Sequence, residues 1–536
     1  TELKRYNLEK TKNYLDLASP ALTLTKHSYQ LSRPVLSFLY VGNFTDNIIS
    51  LEDTSYEIML KSINMNENAK QIVSLLLNKS KSDEEIKTTA YRIQNLRVQI
   101  KDINSHLNTI IQKLDYPFEK TKNIRSDLKT VQTSVDQIQE ILNDSEYLFG
   151  DKVERKYLLL FQNNMEIRPG GGFIGSYGIL TMKDYTLKEF KVQDVYEADG
   201  QLRGHVDPPD PIRTYLHQPN WFLRDSGFSP DFPENLTKAQ FFLEKEMNLT
   251  NFDGGMAITT TAINTIIGAF GDIYLPDYNE TINKDNFYIK TQTQTEKGFF
   301  PGSSQKRSYL SSLTNALLLK LETDVSSDFL SGVKKGLDEK QIVLFFKNDN
   351  IQKTIDKAGW SGKFITPQCA ITIENCILDS FFAVDANLGV NKANFFLQRY
   401  QDIRTHIDTQ GKIRDTATLL FKNNSSYETF PGGTYKNYLQ VYIPRDSKLI
   451  SLTKNNIKVE KFDEKDNGAF RIIGFYFEVK PKTQTTIQLN YELSQVIKKG
   501  RNGYQLVVQK QIGSTNNDLH LEFTVPKNIF LINKNF

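Results

Sequence analysis

The sequence predicts a multidomain α+β protein in three parts. These are an N-terminal helical hairpin or bundle over 1–150, a central α/β sandwich with a mixed sheet over 151–365, and a C-terminal immunoglobulin-like β-sandwich over 366–536. Three observations carry the division. The 536 residues are too many for one hydrophobic core. The first 150 run for long stretches without Gly or Pro and place apolar residues three and four apart. Past Lys156, strand-like and helix-like runs alternate, and past Cys369 short strand-like runs take over.

In the first part, one stripe runs Ile86, Ala90, Ile93, Leu96, Ile100, Ile103, Leu107, Ile110, Leu114, and a second runs Ile124, Leu128, Val131, Val135, Ile138, Leu142. Two such stripes on either side of Pro117 describe an antiparallel helical hairpin with Ile100 and Val131 in its seam. That hairpin suits a stalk or a self-associating coiled coil. It equally suits two helices that simply pack on each other and on helices from 1–80. In the second part, Tyr157–Phe161 reads as a strand buried on both faces. Phe173–Met182, Leu187–Val195, Gly255–Thr259 and Gln341–Phe346 read as further strands. Leu236–Met247, Thr261–Phe270 and Ser303–Glu322 read as helices covering them. In the third part, Tyr438–Ile443, Arg471–Val479, Thr485–Tyr491 and Tyr504–Val508 alternate in strand fashion. Turn signals such as Pro431-Gly432-Gly433 and Asn502-Gly503 separate the strands, as in a β-sandwich.

Composition removes several function classes. Lys plus Arg number 66 against 63 acids, and a net charge of +3 gives no global field for nucleic acid. Two cysteines exclude a multi-Cys metal site, and six scattered histidines include no H-E-x-x-H. No run of 18 apolar residues spans a membrane. The chain opens at Thr1 rather than Met, which points to a processed product and to an anchor or signal peptide ahead of it. Cys369 and Cys376, seven apart near a strand, are expected to be bonded to each other if the protein sits in an oxidising compartment.

Candidate chemistry lies in 162–233. A strand leads into Arg168-Pro169-Gly170-Gly171-Gly172, and three consecutive glycines let backbone N–H groups approach an anion. The same glycines also suit a tight turn that needs them for geometry alone. The segment is not a P-loop, since no G-K-[ST] follows. Downstream come Asp194, Asp199, Asp207, Asp210, Asp225 and Asp231, interleaved with Arg203, Arg213 and Arg224. Carboxylate oxygens suit Mg²⁺, which shares them with phosphate, and guanidinium forks suit phosphate oxygens. Only 17 of the 66 basic residues are Arg, yet four fall between Arg168 and Arg224. Asp and Pro also crowd any long loop, and Asp207-Pro208-Pro209-Asp210-Pro211 is one.

Asn164-Met165-Glu166-Ile167-Arg168, Gly171-Gly172-Phe173-Ile174-Gly175, Gln193-Asp194, Arg224-Asp225-Ser226, Pro230-Asp231-Phe232-Pro233 and Phe252-Asp253-Gly254-Gly255-Met256-Ala257-Ile258 together resemble a bacterial domain-of-unknown-function family, DUF4012, over about 155–330. The resemblance implies an extracytoplasmic protein of the bacterial cell envelope or cell surface, held to the membrane by an N-terminal anchor that is missing here. That family is in turn distantly similar to the LytR-CpsA-Psr cell-wall ligases. They move a glycopolymer from a polyprenyl-pyrophosphate carrier to peptidoglycan, with arginines on the pyrophosphate and aspartates on Mg²⁺.

This likeness implies catalytic roles for Arg168, Arg224 and Asp225. It implies phosphate contacts from Gly170, Gly171, Gly172 and Arg203, and a Mg²⁺ site at Asp194, Asp225 and Asp231. One departure stands out. Where the ligase motif has Asp just after its Arg, this chain has Pro169-Gly170-Gly171, so the fold can persist without the transfer chemistry. The expected function is binding of a lipid-linked glycan or cell-wall polymer, with its transfer left open. The alternative is a non-catalytic surface, adhesion or envelope-assembly protein on the same fold.

Overall fold

The computed structural model describes residues 8–38, 42–114, 121–296, 305–323, 326–370, 373, 375–515 and 518–532. The N-terminal part is α1 (Leu8–Phe38), α2 (Gly42–Leu77), α3 (Asp83–Lys113), α4 (Thr121–Asn143) and the single turn α5 (Ser145–Leu148). Sequence neighbours pack in order, α1 on α2, α2 on α3 and α3 on α4. The expected hairpin is therefore one end of a four-helix row. Its Pro117 turn lies outside the described residues. Ser82 starts α3 with a capping box, its side chain accepting from the Glu85 N–H while Glu85 reaches back to the Ser82 N–H.

Ile93, Ile100, Ile103 and Leu107 of α3 are buried. The stripe of α4 splits. Leu128, Val135 and Leu142 are half-buried, whereas Ile124, Val131 and Ile138 are exposed. Polar pairs join α4 to α3, among them Gln132 to Asn108 at 2.5 Å and Arg97 to Asn143 at 3.1 Å. The expectation that Val131 sits in the seam is thus corrected.

The central sheet takes β1 (Arg155–Asn163), β2 (Phe173–Lys183) and β3 (Thr186–Asp194). The chain then runs through α6 (Val195–Asp199), α7 (Asp210–Tyr215), α8 (Phe232–Met247), β4 (Gly254–Thr259) and α9 (Thr260–Phe270). A small hairpin β5/β6 (Ile273–Leu275, Glu280–Ile282) follows. Next come α10 (Phe287–Glu296), α11 (Gln305–Thr323), α12 (Ser327–Asp338), β7 (Ile342–Phe346) and α13 (Asp349–Ala358). The order β3-β2-β1-β4-β7 is mixed, with β1 parallel to β4 and the other neighbours antiparallel. Alternation along β1 explains its unbroken apolar run. Leu158 and Leu160 face the core under α8, while Tyr157 and Leu159 face Leu76 and Leu77 of α2.

The C-terminal part is all strand: β8 (Cys376–Asn387), β9 (Leu397–Ile407), β10 (Lys412–Asn423), β11 (Tyr435–Pro444), β12 (Lys448–Lys454), β13 (Ile457–Lys458), β14 (Asp463–Asp466), β15 (Phe470–Val479), β16 (Gln484–Val496), β17 (Gly503–Val508) and β18 (Asp518–Thr524). Sheets of order β13-β12-β16-β10-β9-β18 and β14-β15-β11-β8-β17 enclose one core that contains Phe381, Leu419, Val441, Phe475 and Ile487. Cys369 and Cys376 are bonded, their Cα atoms 6.2 Å apart.

After β17 the chain leaves the sandwich. Ile512 enters the central core, the Gly513 N–H donates to Lys340 O at 3.0 Å, and the Gln341 side chain donates to Ser514 O at 2.9 Å. No helix among the described residues is long and apolar enough to cross a membrane.

Candidate functional site

At the end of β1, Asn164–Glu166 form a 3-10 turn, and Arg168–Gly172 fold back into β2. The turn points toward the sandwich. Asn387 N–H donates to Ile167 O at 2.9 Å, Ile167 N–H donates to the Asn394 side chain at 3.2 Å, and the Gln511 side chain donates to Arg168 O at 3.0 Å. Arg168 is 1% exposed. Its Nη2 meets Glu166 at 3.0 Å, its Nε meets Asp225 at 3.3 Å, and its Nη1 donates to Asn387 O. Glu166 also holds Lys392 of the sandwich at 2.5 Å.

On the other side Asp225 meets Arg224 at 3.5 Å, and Arg224 meets Asp199 at 2.7 Å. The result is an alternating line, Lys392–Glu166–Arg168–Asp225–Arg224–Asp199, of three cations and three anions. It runs from the sandwich into the central domain and is neutral as a whole.

Burial shapes the charges in this line. For Glu166 burial alone pushes the pKa up, but Lys392 and Arg168 outweigh it and hold the carboxyl below its ordinary value. Burial also disfavours the Arg168 cation, and Glu166 and Asp225 more than offset that. Asp199 goes the other way. Burial lifts it to about 6 despite Arg224. Next to it Glu246 of α8, buried and repelled by Asp199, is pushed up to about 8, against the pull of the Leu223 backbone and Arg224.

The glycines do not form an open anion cradle. Gly170 N–H donates to Gly227 O at 3.0 Å and Gly171 N–H to Arg168 O at 2.9 Å. Gly171 has φ +126°, and a Cβ there would lie 2.2 Å from the Gln162 side chain. A Cβ on Gly172 would lie 2.6 Å from the Asn163 backbone. Glycine is needed here because the backbones of two segments touch.

The structure therefore brings Arg168, Arg224 and Asp225 together, as the motif spacing suggests, but in a buried ion-pair line and not on facing walls of a cleft. The expected metal set is corrected. Asp194 caps α6 through the Tyr196 N–H at 3.0 Å and pairs with Lys306 at 3.3 Å. Asp231 caps α8 through Glu234 N–H at 3.0 Å and also accepts from Phe364 N–H at 2.9 Å. Asp225 lies between two arginines. Among the described residues no three His, Cys, Asp or Glu side chains group as metal ligands, so these residues do not fit Mg²⁺. Arg203 stands exposed in the loop before α7.

Asp199 already stood in the Asp/Arg cluster read from the sequence, whereas Glu246, Asn387, Lys392 and Gln511 were missed, and Glu166 was given no role. Glu166 stands two residues before Arg168, inside the motif. Lys392 and Gln511 lie more than 200 residues away, where no spacing rule reaches.

No curated protein matches the sequence. Among solved structures, the Lin1025 protein of Listeria innocua is 12% identical with a TM-score of 0.23, covering 39% of this chain and 79% of that one. A candidate nutrient-binding protein of Legionella pneumophila is 10% identical at TM-score 0.16, covering 21% and 43%. An M1 zinc metallopeptidase of Deinococcus radiodurans is 12% identical at TM-score 0.13, covering 24% and 31%. This chain thus spans less than half the length of the last two, and likenesses this slight carry no argument. Residues 152–295, the stretch holding Glu166, Arg168, Asp199, Arg224, Asp225 and Glu246, match the family described as Protein of unknown function (DUF4012).

Proposed function

We propose that this chain is a non-catalytic protein of the bacterial cell surface or envelope, acting in adhesion or envelope assembly. The observation that carries the reading is the ion-pair line through Arg168. A pyrophosphate site needs guanidinium groups with free N–H donors around a cavity. Arg168 instead spends its donors on Glu166, Asp225 and Asn387 with its side chain buried. Glu166 and Arg168 also tie the central domain to the sandwich through Lys392, Asn387 and Gln511, a structural use of the motif. The Cys369–Cys376 disulfide supports an oxidising, extracytoplasmic location. The ligase-like reading, with Mg²⁺ and a polyprenyl-pyrophosphate-linked glycan, finds no matching arrangement of Arg168, Arg224, Asp194 and Asp231.

Titration of a polyprenyl pyrophosphate analogue, with and without Mg²⁺, tests this. The expected result is no saturable binding to the wild-type protein. Saturable, Mg²⁺-dependent binding that Arg203→Ala or Arg224→Ala weakens about thirtyfold, roughly 2 kcal/mol, would reinstate the ligase-like site.

A further inference from the structure

The first helix carries an apolar stripe that the fold leaves open. Along α1, Tyr14, Leu17, Ala21, Leu24, Ser28, Leu31, Val35 and Phe38 follow one another at alternating steps of three and four. This is the a/d spacing of a coiled-coil seam held for more than three heptads. Its six large members are 58% to 83% exposed. The opposite face is already occupied. Leu15 is buried, Lys26 pairs with Asp53 of α2 at 2.8 Å, and Arg33 pairs with Asp46 at 3.2 Å while Tyr29 also bonds Asp46. These pairs fix the rotation of α1 and keep the stripe turned outward.

We propose that a second copy of this chain covers the stripe, with the two α1 helices packed antiparallel. Three observations select that occupant. First, the exposed parts of the six large side chains come to roughly 800 Å², which is about what each partner contributes to a stable interface of standard size.

Second, the stripe is complementary to its own reverse. An antiparallel pair centred on Lys26 sets Leu31 against Ala21, Leu24 against Ser28, Leu17 against Val35 and Tyr14 against Phe38. Large side chains meet small ones in the middle and fill the seam, whereas a parallel pair would put Ala21 on Ala21 and Ser28 on Ser28 and leave voids.

Third, the flanking positions Asn13, Ala18, Pro20, Thr25, His27, Ser32 and Pro34 hold no Lys, Arg, Asp or Glu. They raise no like-charge repulsion between copies, and they lack the basic flanks by which an interfacial helix holds anionic lipid. The two prolines lie fourteen residues apart, on one side of the helix, so the bends they impose act in one direction.

This inference deepens the assembly reading and rests on it, since a protein that assembles needs a self-complementary surface. Its test is the oligomeric state of the full chain by sedimentation equilibrium over a concentration series. Wild type is expected to dimerise. Leu24→Glu/Leu31→Glu should be monomeric with unchanged helical circular dichroism, while Thr23→Glu/Gln30→Glu, exposed beside the stripe, should stay dimeric. Under mild oxidation Leu17→Cys mixed with Val35→Cys should form a disulfide-linked pair, and Leu17→Cys alone should not.

A monomeric wild type, a stripe variant that still dimerises, or cross-linking of Leu17→Cys alone overturns the proposal. So does stripe-dependent pelleting of a monomeric protein with anionic phosphatidylglycerol vesicles, which would make the occupant a membrane. Pyrophosphate binding does not involve α1. A monomeric wild type that binds no pyrophosphate therefore fails this inference alone, and a dimer that binds it fails the non-catalytic reading.

Discussion

At Glu246 the structure makes a pH-dependent statement that no motif announces. Its carboxyl, raised from 4.5 to about 8 by burial and by Asp199, is neutral over most of the neutral range. A group whose folded pKa lies above its unfolded value stabilises fully below the unfolded value, and that stabilisation is lost as pH rises through the folded one. Wild type is therefore expected to lose melting temperature between pH 5 and 8. Glu246→Gln, neutral throughout, should show a flatter profile and be the more stable of the two at pH 8. Parallel melting curves would show that Glu246 is solvated. That Arg168, Arg224 and Asp225 belong together was legible in the sequence, from the motifs that carry the family resemblance and, for the two arginines, from the scarcity of Arg in this Lys-rich chain. Their role was not legible, since it is set by Lys392, Asn387 and Gln511, which arrive from a different domain. The glycines after Arg168 read as either cradle or tight turn. The contacts their missing Cβ atoms would make decide for the turn.

At the scale of elements, periodicity placed the five strands of the central sheet and the helices α8, α9 and α11, but it passed over α6, α7, α10, α12, α13 and the β5/β6 hairpin. It did not separate the two rows of the α4 stripe. Apolar residues seven apart signal a seam only when a partner helix is present, and α4 has α3 on one side of its stripe alone. Ile100 and Val131 look equivalent in sequence and are not, at 4% and 48% exposed. Ile100→Asp is expected to cost about 3 kcal/mol or more, by burying an unpaired charge. Val131→Asp should stay within roughly 0.5 kcal/mol of wild type, as surface changes do. Urea unfolding of the full chain followed by helical circular dichroism measures both, and equal losses would restore the symmetric hairpin. The strands β8, β9 and β10 escaped notice for a related reason. Polar residues such as Asp385, Arg399 and Asp415 are buried within them, in pairs that sequence alone does not reveal.

For the whole molecule, three closely docked parts were legible, and the contacts that couple them were not. The Gln511–Ser514 return into the central domain and the Lys392–Glu166 contact tie the sandwich to the motif turn, so the division near 366 marks a change of architecture rather than an independent unit. The central claim is that the Arg168–Gly172 turn is a structural junction. The most direct measurement is thermal unfolding together with amide hydrogen exchange of Lys392→Met, a change made in the sandwich, on the far side of the junction from Arg168. Removing one partner of a buried ion pair costs about 3–5 kcal/mol, which at roughly 2–4 °C per kcal/mol for a domain of this size lowers the melting temperature by at least about 6 °C. Faster exchange is expected at Ile167, Gly170 and Gly171, whose N–H groups donate to the Asn394 side chain, Gly227 O and Arg168 O. An unchanged melting temperature with undiminished protection of those three amides would contradict the account.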